Sequence, residues 1–324
     1  FAYLQHDGDE RLTALRVAEA MAFNLDCVGR CVAPPASLPG RLVQFYRRRR
    51  ELFAGVRTRA DVGVLRSFAS LAWDCWDTHL SVLAAEQTLI QTRVPWHPLF
   101  DADLTPEALG RYAAVVLADV HFLSDAQAAV LADYVRGGGG LLLIGETGLW
   151  DEMARRRERC VFADLLDEGL AVGMRRRVGD GRIAWLQRRT LADVPPQYHG
   201  DHQVGGQYMM LPPNAGEIAA AVRWCVGRPI SLHVEAPPTT VAELAERNEP
   251  DLQLVHLVNF DLARPLGPTE VSLALPPGRS AREVRVLDPA AGTDETADFD
   301  ASGGRVQLTV GAVDIYALVG VALG

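Results

Sequence analysis

Residues 104–152 decide the fold of this chain: LTPEALGRYAAVVLADVHFLSDAQAAVLADYVRGGGGLLLIGETGLWDE. The pattern predicts a helix, a buried strand over residues 113–117, a second helix over residues 125–136, and a second buried strand over residues 141–144. Both strands are continuously apolar, which is typical of parallel strands that helices cover on both faces. The stretch therefore indicates an open parallel α/β sheet.

Polar residues follow both of these strands. His121 comes shortly after the first strand and Glu146 shortly after the second. Parallel sheets place ligands and nucleophiles at the carboxyl ends of their strands. Glu146 occupies the elbow where a hydrolase would carry Cys or Ser, and Cys75 and Cys160 lie outside any elbow pattern. The sequence therefore predicts a place for an active site without its nucleophile, and it assigns no catalytic residue.

Length and charge limit the kind of protein. The chain has 324 residues, which suggests two or three domains rather than one core. All 32 basic residues are arginine, yet the formal net charge is −9, which argues against nucleic acid as a partner. No apolar run reaches the roughly 18 residues that span a bilayer, so no membrane partner is expected.

The amino terminus shows no signal-peptide pattern. Phe1 stands inside a strand-like pattern, with no initiator methionine and no charged segment before an apolar one. The five cysteines are scattered and match no zinc spacing. We therefore expect a cytoplasmic protein with reduced thiols, whose sequence continues upstream of Phe1.

Three segments differ in pattern. Residues 1–58 contain two strand–helix steps, including a helix over residues 10–23, and two such steps cannot bury a core alone. This segment is therefore predicted to be the tail of a larger α/β domain. Residues 59–228 form the α/β unit that contains the opening stretch. Residues 229–324 show six strand patterns divided by turns, which predicts a small antiparallel β-sandwich.

A run of four arginines, residues 47–50, resembles a basic patch for an anionic partner. The run lies on a helical pattern whose other face carries apolar residues such as Leu42 and Phe45. That arrangement favours a helix side that faces solvent or an interface over a contact with RNA.

Residues 199–202, HGDH, carry two histidines and one aspartate on a polar stretch. Their spacing matches no closed zinc site and no fourth ligand is evident. The pattern favours a surface loop, so the sequence predicts neither a metal nor a cofactor.

Aromatic residues lie near several predicted strand ends. Trp96, His97 and Trp150 are candidate sugar contacts because an aromatic face can stack on a sugar ring, and Trp73 and Trp76 belong to the same set. Aromatic residues are also enriched at subunit interfaces, so packing in a core or an interface is the alternative.

His121 and Glu146 complete the set of candidate contacts. His121 can reach a cleft at the sheet edge, but it has no paired nucleophile. Glu146 is either a carboxylate that binds a sugar or a neighbouring subunit, or an acceptor for N–H groups at the start of the next helix.

Several motifs occur in a fixed order along the chain, at residues 45–53, 60–65, 123–127, 137–140, 145–152, 162–166 and 255–260. Their order resembles the C-terminal half of glycoside hydrolases of the family 42 β-galactosidase type. The resemblance covers nearly the whole chain.

The resemblance implies three domains. Residues 1–58 would be the end of a (β/α)8 barrel, residues 59–228 a flavodoxin-like trimerisation domain with the fold of class I amidotransferases, and residues 229–324 a C-terminal β domain. It also implies a homotrimer, and a carbohydrate substrate bound by an upstream barrel that supplies the two catalytic carboxylates. Two alternatives stay open: a stand-alone scaffold or carbohydrate-binding protein, and an amidotransferase-superfamily hydrolase with an unrecognised site.

Overall fold

The chain divides into two compact units, Ala60–Ile230 and a second unit formed by Phe1–Arg59 together with Ser231–Gly324. Together they make a mixed α/β protein with several sheets. Among the described residues, no helix is long and apolar enough to cross a membrane. The computed structural model describes residues 3–4, 9–24, 30–31, 33–73, 75–166, 173–188, 210–247 and 251–324.

The helices and strands fall into three consecutive groups. The first group is β1 (Tyr3–Leu4), α1 (Glu10–Phe23), β2 (Arg30–Cys31), α2 (Leu38–Arg48), α3 (Arg50–Phe53) and β3 (Val56–Thr58). The second is β4 (Val62–Arg66), α4 (Phe68–Trp73), α5 (Cys75–Gln91), β5 (Trp96–Phe100), a 3-10 turn (Asp101–Asp103), α6 (Pro106–Leu109), β6 (Ala114–Ala118), α7 (Asp125–Arg136), β7 (Gly140–Ile144), α8 (Ala163–Leu166), β8 (Arg175–Val178), β9 (Gly181–Leu186) and α9 (Ala215–Val226). The third is β10 (Leu232–Val234), β11 (Thr240–Arg247), β12 (Leu252–Asn259), β13 (Thr269–Ala274), β14 (Ala281–Asp288), β15 (Thr293–Thr296), β16 (Asp300–Ser302), β17 (Arg305–Val310) and β18 (Tyr316–Leu323).

The middle unit is built on one six-stranded sheet with the order β5-β4-β6-β7-β9-β8. The first five strands in this order are parallel, and β8 pairs antiparallel with β9. Every residue of β6 and β7 is buried, as expected of strands covered on both faces. Strands β8 and β9 form a hairpin, with Val178 opposite Gly181 at its turn.

Helices cover both faces of this sheet. Val82 of α5 and Val222 of α9 belong to the core on one face, and Leu131 of α7 belongs to the core on the other. A capping box begins α7, in which Ser124 and residue 127 bond reciprocally. The edge with the carboxyl ends of the parallel strands is thereby held between two helical layers.

The second unit contains two antiparallel sheets, ordered β15-β14-β18-β12-β11-β3 and β10-β13-β17-β16. Their facing residues form one core, which is the architecture of a β-sandwich. The outer face of the larger sheet is covered by helices of the first segment, where Met21 and Leu42 pack with Leu254 and Tyr316.

The first segment and the β-strands at the end of the chain therefore belong to one compact unit. The apolar faces of its helices are buried against the larger sheet. The strand β3 also extends that sheet at its edge, with Thr58 opposite Ala245. The boundaries between the two units fall at residues 59 and 60 and at residues 230 and 231.

Candidate functional site

The candidate site lies at the carboxyl edge of the parallel sheet. Asp119 is the first residue after β6, is fully buried, and has a φ of 47°. A positive φ is uncommon for a residue other than glycine and points to a sharp, constrained turn. His121 follows two residues later, and its main-chain N–H donates to the carbonyl oxygen of Asp119 at 3.0 Å.

The side chain of Asp119 accepts hydrogen bonds on both oxygens. Oδ1 accepts from the main-chain N–H of Glu146 at 3.0 Å and from Nε of Arg188 at 3.2 Å. Oδ2 accepts from the hydroxyl of Ser81 on α5. Thr78, one turn earlier on α5, donates to the carbonyl oxygen of Asp119 at 2.7 Å. We call Asp119 and these four partners the Asp119 cluster.

Asp119 is ionised despite its burial. Burial alone raises the pKa of this carboxyl, but the contacts with His121 and Ser81, the Glu146 N–H and the charge of Arg188 together hold the pKa below its ordinary value. His121 Nε2 lies 3.6 Å from Asp119 Oδ1. The cluster is thus a buried charge with full hydrogen-bond compensation.

Arg188 connects the buried carboxylate to the surface. Its guanidinium lies 2.9 Å from Asp77 as well as 3.2 Å from Asp119. Burial lowers its pKa, but the carboxylates of Asp119, Asp77 and Glu146 outweigh this and raise it above the ordinary value. The cluster therefore joins the end of β6, the end of β7, α5 and the chain after β9.

Glu146 belongs to the Asp119 cluster through its main-chain N–H. Its carboxylate is exposed, and no helix begins beside it, since α8 starts only at Ala163. The predicted role as an acceptor at a helix start is therefore not found. Gly145, which precedes it, has a φ of 65°, and a Cβ there would lie 2.0 Å from Asp119 Oδ1. Glycine is required at this position so that the turn can reach the carboxylate.

Aromatic rings surround His121. Its ring lies 5.5 Å from that of Trp150 and 6.1 Å from that of Phe122, and Trp73 lies 6.4 Å from Phe122. His121 is only 5% exposed, so its ring is part of the packing below the surface. The structure thus brings His121, Trp150 and Glu146 to one edge, as the strand-end pattern predicts.

Trp96 and His97 lie at the amino-terminal end of the parallel strands, at the opposite end of the sheet from the candidate site. They begin β5, and the register places Trp96 beside Val62 at the start of β4, level with Ala114 at the start of β6. His97 Nδ1 lies 3.4 Å from the hydroxyl of Tyr112. Burial, aided by the charge of a nearby arginine, lowers the pKa of His97. These two candidates therefore do not belong to the site.

The two cysteines of the middle unit whose side chains the structure describes, Cys160 and Cys225, supply no nucleophile at this edge. Cys160 is buried, its Sγ donates to the carbonyl oxygen of Thr147 at 3.4 Å, and burial raises its pKa. Burial also raises the pKa of Cys225 to about 12. Both thiols stay protonated at neutral pH, whereas the thiolate is the reactive form.

Several predicted features lie outside the described residues. These are the HGDH segment at residues 199–202 and the side chains of Cys75 and Trp76. Within the described ranges, no group of three His, Cys, Asp or Glu is placed to hold a metal ion.

Sequence reasoning missed the members of the Asp119 cluster that come from elsewhere in the chain. Ser81 and Arg188 are 38 and 69 residues from Asp119. The one usable signal is Asp119 itself, an acidic residue directly after a continuously apolar strand.

Comparison with known proteins places this fold among glycoside hydrolases of known structure. No protein-family model and no curated protein sequence matches the chain. Alpha-L-fucosidase isoenzyme 2 from Paenibacillus thiaminolyticus is similar over 96% of this chain and 57% of its own, with a TM-score of 0.59 and 19% identity. The beta-galactosidase from Bacillus circulans sp. alkalophilus is similar over 88% of this chain and 44% of its own, with a TM-score of 0.51 and 13% identity.

A catalytic mutant of Gan42B, a GH42 beta-galactosidase from G. stearothermophilus, is similar over 89% of this chain and 44% of its own, with a TM-score of 0.52 and 12% identity. This chain thus spans about half the length of the hydrolases it resembles. At such identities the similarity establishes the fold alone.

Proposed function

We propose that this chain is an accessory and assembly segment of a glycoside hydrolase that resembles the family 42 β-galactosidases. In this proposal a (β/α)8 barrel, whose tail is residues 1–58, binds and hydrolyses the carbohydrate with two carboxylates that lie outside this chain. The proposal rests on the share of each chain that is similar in fold. The similarity extends over 88–96% of this chain but over only 44–57% of the hydrolases.

The strand order supports the finer assignment of the middle unit. Its parallel strands run β5-β4-β6-β7-β9, which corresponds to the order 2-1-3-4-5 of flavodoxin-like sheets. We assign this unit an amidotransferase-like fold that serves for trimerisation rather than for chemistry.

The geometry of the sheet edge supports a non-catalytic role. Both oxygens of Asp119 accept hydrogen bonds from its own chain, and the carboxylate is fully buried. Cys160 is held as a protonated thiol. A group that attacks or protonates a substrate must reach it, and neither of these does.

An exposed apolar surface supports self-association. Phe68, Trp73, Phe100 and Met153 are 54–76% exposed. The Phe68 N–H donates to Asp101, next to Phe100, and the Trp73 indole donates to the carbonyl oxygen of Glu152, next to Met153. These contacts bring the segments of Phe68 and Phe100 together and those of Trp73 and Met153 together, and exposed apolar groups of this kind mark interaction surfaces.

The test combines turnover with molecular mass. The purified chain is assayed on p-nitrophenyl β-D-galactoside and p-nitrophenyl α-L-fucoside, and its mass is measured by light scattering at tens of micromolar. We expect no turnover and a trimer. Turnover that an Asp119→Asn change abolishes would overturn the accessory role, and a monomer would overturn the assembly role. An upstream reading frame without a barrel would favour a stand-alone scaffold or carbohydrate-binding protein.

A further inference from the structure

A groove of about 760 Å³ lies within the second unit, between α2 and the turn that joins β14 to β15. This volume is in the range of small-molecule sites, about 300–1,000 Å³. Residues of both segments line the groove: Arg41, Gln44, Phe45, Arg48 and Arg49 on the helix side, and Leu287, Asp288, Gly292, Thr293 and Asp294 on the turn side.

The helix side presents one continuous stripe. Arg41, Gln44, Phe45 and Arg48 are spaced three and four residues apart, so they share one face of α2. The Phe45 ring meets Phe53 edge-on at 6.4 Å. One side of α2 therefore carries an aromatic ring and two guanidinium groups.

Both acidic residues of the groove already make polar contacts with other residues of the chain. Asp294 binds Arg49, and it also lies 2.7 Å from Arg285. Asp288 accepts from the N–H groups of Ala290 and Ala291 at 2.8 and 2.9 Å. Asp294 is therefore paired with two arginines, whereas Asp288 keeps its negative charge and leaves the groove lined by three arginines against two aspartates.

Arg41 and Arg48 are the groove's available cations. Both are exposed, and neither makes an ion pair with any part of the chain that the structure describes. Arginine binds carboxylate and sulfate groups through two parallel N–H bonds, which makes a pair of such side chains selective for anions. Gln44 and Thr293 add groups that can bond to hydroxyls.

We infer that this groove binds an anionic sugar, a ring that carries a carboxylate or a sulfate. The ring stacks on Phe45, its anionic group bonds to Arg41 and Arg48, and its hydroxyls bond to Gln44 and Thr293. The inference rests on the proposed function only for the class of ligand, and occupation of the groove requires neither turnover nor a trimer.

Calorimetric titration of the full chain tests the inference with four probes: digalacturonate, galactose 6-sulfate, lactose and inorganic sulfate. We expect at least one of the two anionic sugars to bind at least tenfold more tightly than both lactose and inorganic sulfate. Arg41→Gln and Arg48→Gln should each weaken that binding by roughly tenfold, the effect of losing one charge-assisted contact. Tighter binding of digalacturonate would identify the anionic group as a carboxylate, and tighter binding of galactose 6-sulfate would identify it as a sulfate.

The matched control is Arg47→Gln, because Arg47 is an exposed member of the same helix that does not line the groove. Its affinity should equal that of the parent chain. The inference is overturned if no probe binds, if inorganic sulfate or lactose binds as well as the anionic sugars, or if Arg47→Gln weakens binding as much as Arg48→Gln. Circular dichroism checks that each variant is folded.

Discussion

Glu243 and His256 lie directly opposite each other on β11 and β12, on the sheet face that the first-segment helices cover. His256 is fully buried, with Nδ1 2.9 Å from the Tyr316 hydroxyl and with Nε2 lacking a hydrogen-bond partner among the described residues. Burial lowers the pKa of His256 to about 3 and raises that of Glu243 to about 8. At neutral pH the pair is therefore essentially uncharged.

The first prediction concerns stability against pH. The folded state keeps the Glu243 proton up to pH about 8, whereas the unfolded state loses it near 4.5, so this group's contribution falls as pH rises through that window. His256 takes up a proton near pH 6.5 only when unfolded, so its contribution falls as pH drops from 6.5 towards about 3. The two trends oppose each other between pH 4.5 and 6.5 and leave a plateau there.

Urea unfolding measured across this range checks the prediction. Stability should decline between pH 6.5 and about 8, where only Glu243 acts, and Glu243→Gln should remove that decline. Glu295→Gln, on the exposed strand β15 of the same sheet, is the control and should keep it. A Glu243→Gln variant with the parent's decline would contradict this account.

The parallel core was predictable because its signals are local. β6 and β7 are continuous apolar runs, and Ser124 begins the helix between them with a capping box. In contrast, the sequence of β11 gives no clear strand pattern. Its sequence, TVAELAER, mixes apolar and charged residues without alternation, and it becomes a strand through pairing with β12 and β3 on its two sides.

The candidate site was predictable only in part, for a related reason. A strand pattern places His121 and Glu146 at carboxyl ends, because each follows its strand. Trp96 and His97 are instead the first two residues of β5. Only the strand register shows that they lie at the amino-terminal end of the parallel strands. The partners of Asp119 are dozens of residues away, and their meeting depends on how α5 and β9 pack against the sheet.

The Asp119 cluster should stabilise the middle unit strongly. Asp119→Ala removes a fully buried carboxylate and leaves the buried Ser81 hydroxyl and the Glu146 N–H without their acceptor. We expect the free energy of unfolding to fall by about 3 kcal/mol. Asp77→Ala removes only the exposed partner of Arg188 and should cost less than about 1 kcal/mol. Equal losses in chemical denaturation would show that the buried contacts are not the dominant ones.

Gly145 gives a prediction with a closely matched control. Gly145→Ala places a Cβ 2.0 Å from Asp119 Oδ1 at a φ of 65°. Gly55 has a φ of 67° with nothing within 4 Å of a Cβ, so Gly55→Ala carries the backbone cost alone. We expect about 1–2 kcal/mol of destabilisation for Gly55→Ala and a clearly larger loss for Gly145→Ala. Similar melting temperatures for the two variants would refute the close approach.

The exposed apolar surface predicts how the proposed assembly responds to mutation. Trp73 is 58% exposed and links α4 to the turn at Glu152, so it is the largest side chain available to a second copy. Buried tryptophans are frequent hot spots, and Trp73→Ser should raise the dissociation constant of self-association by roughly thirtyfold. Met174→Ser is the control, since Met174 is 42% exposed but is not one of the four residues of that surface. Sedimentation velocity over a concentration series measures both variants. If Trp73→Ser assembles as the parent chain does, the copies meet elsewhere.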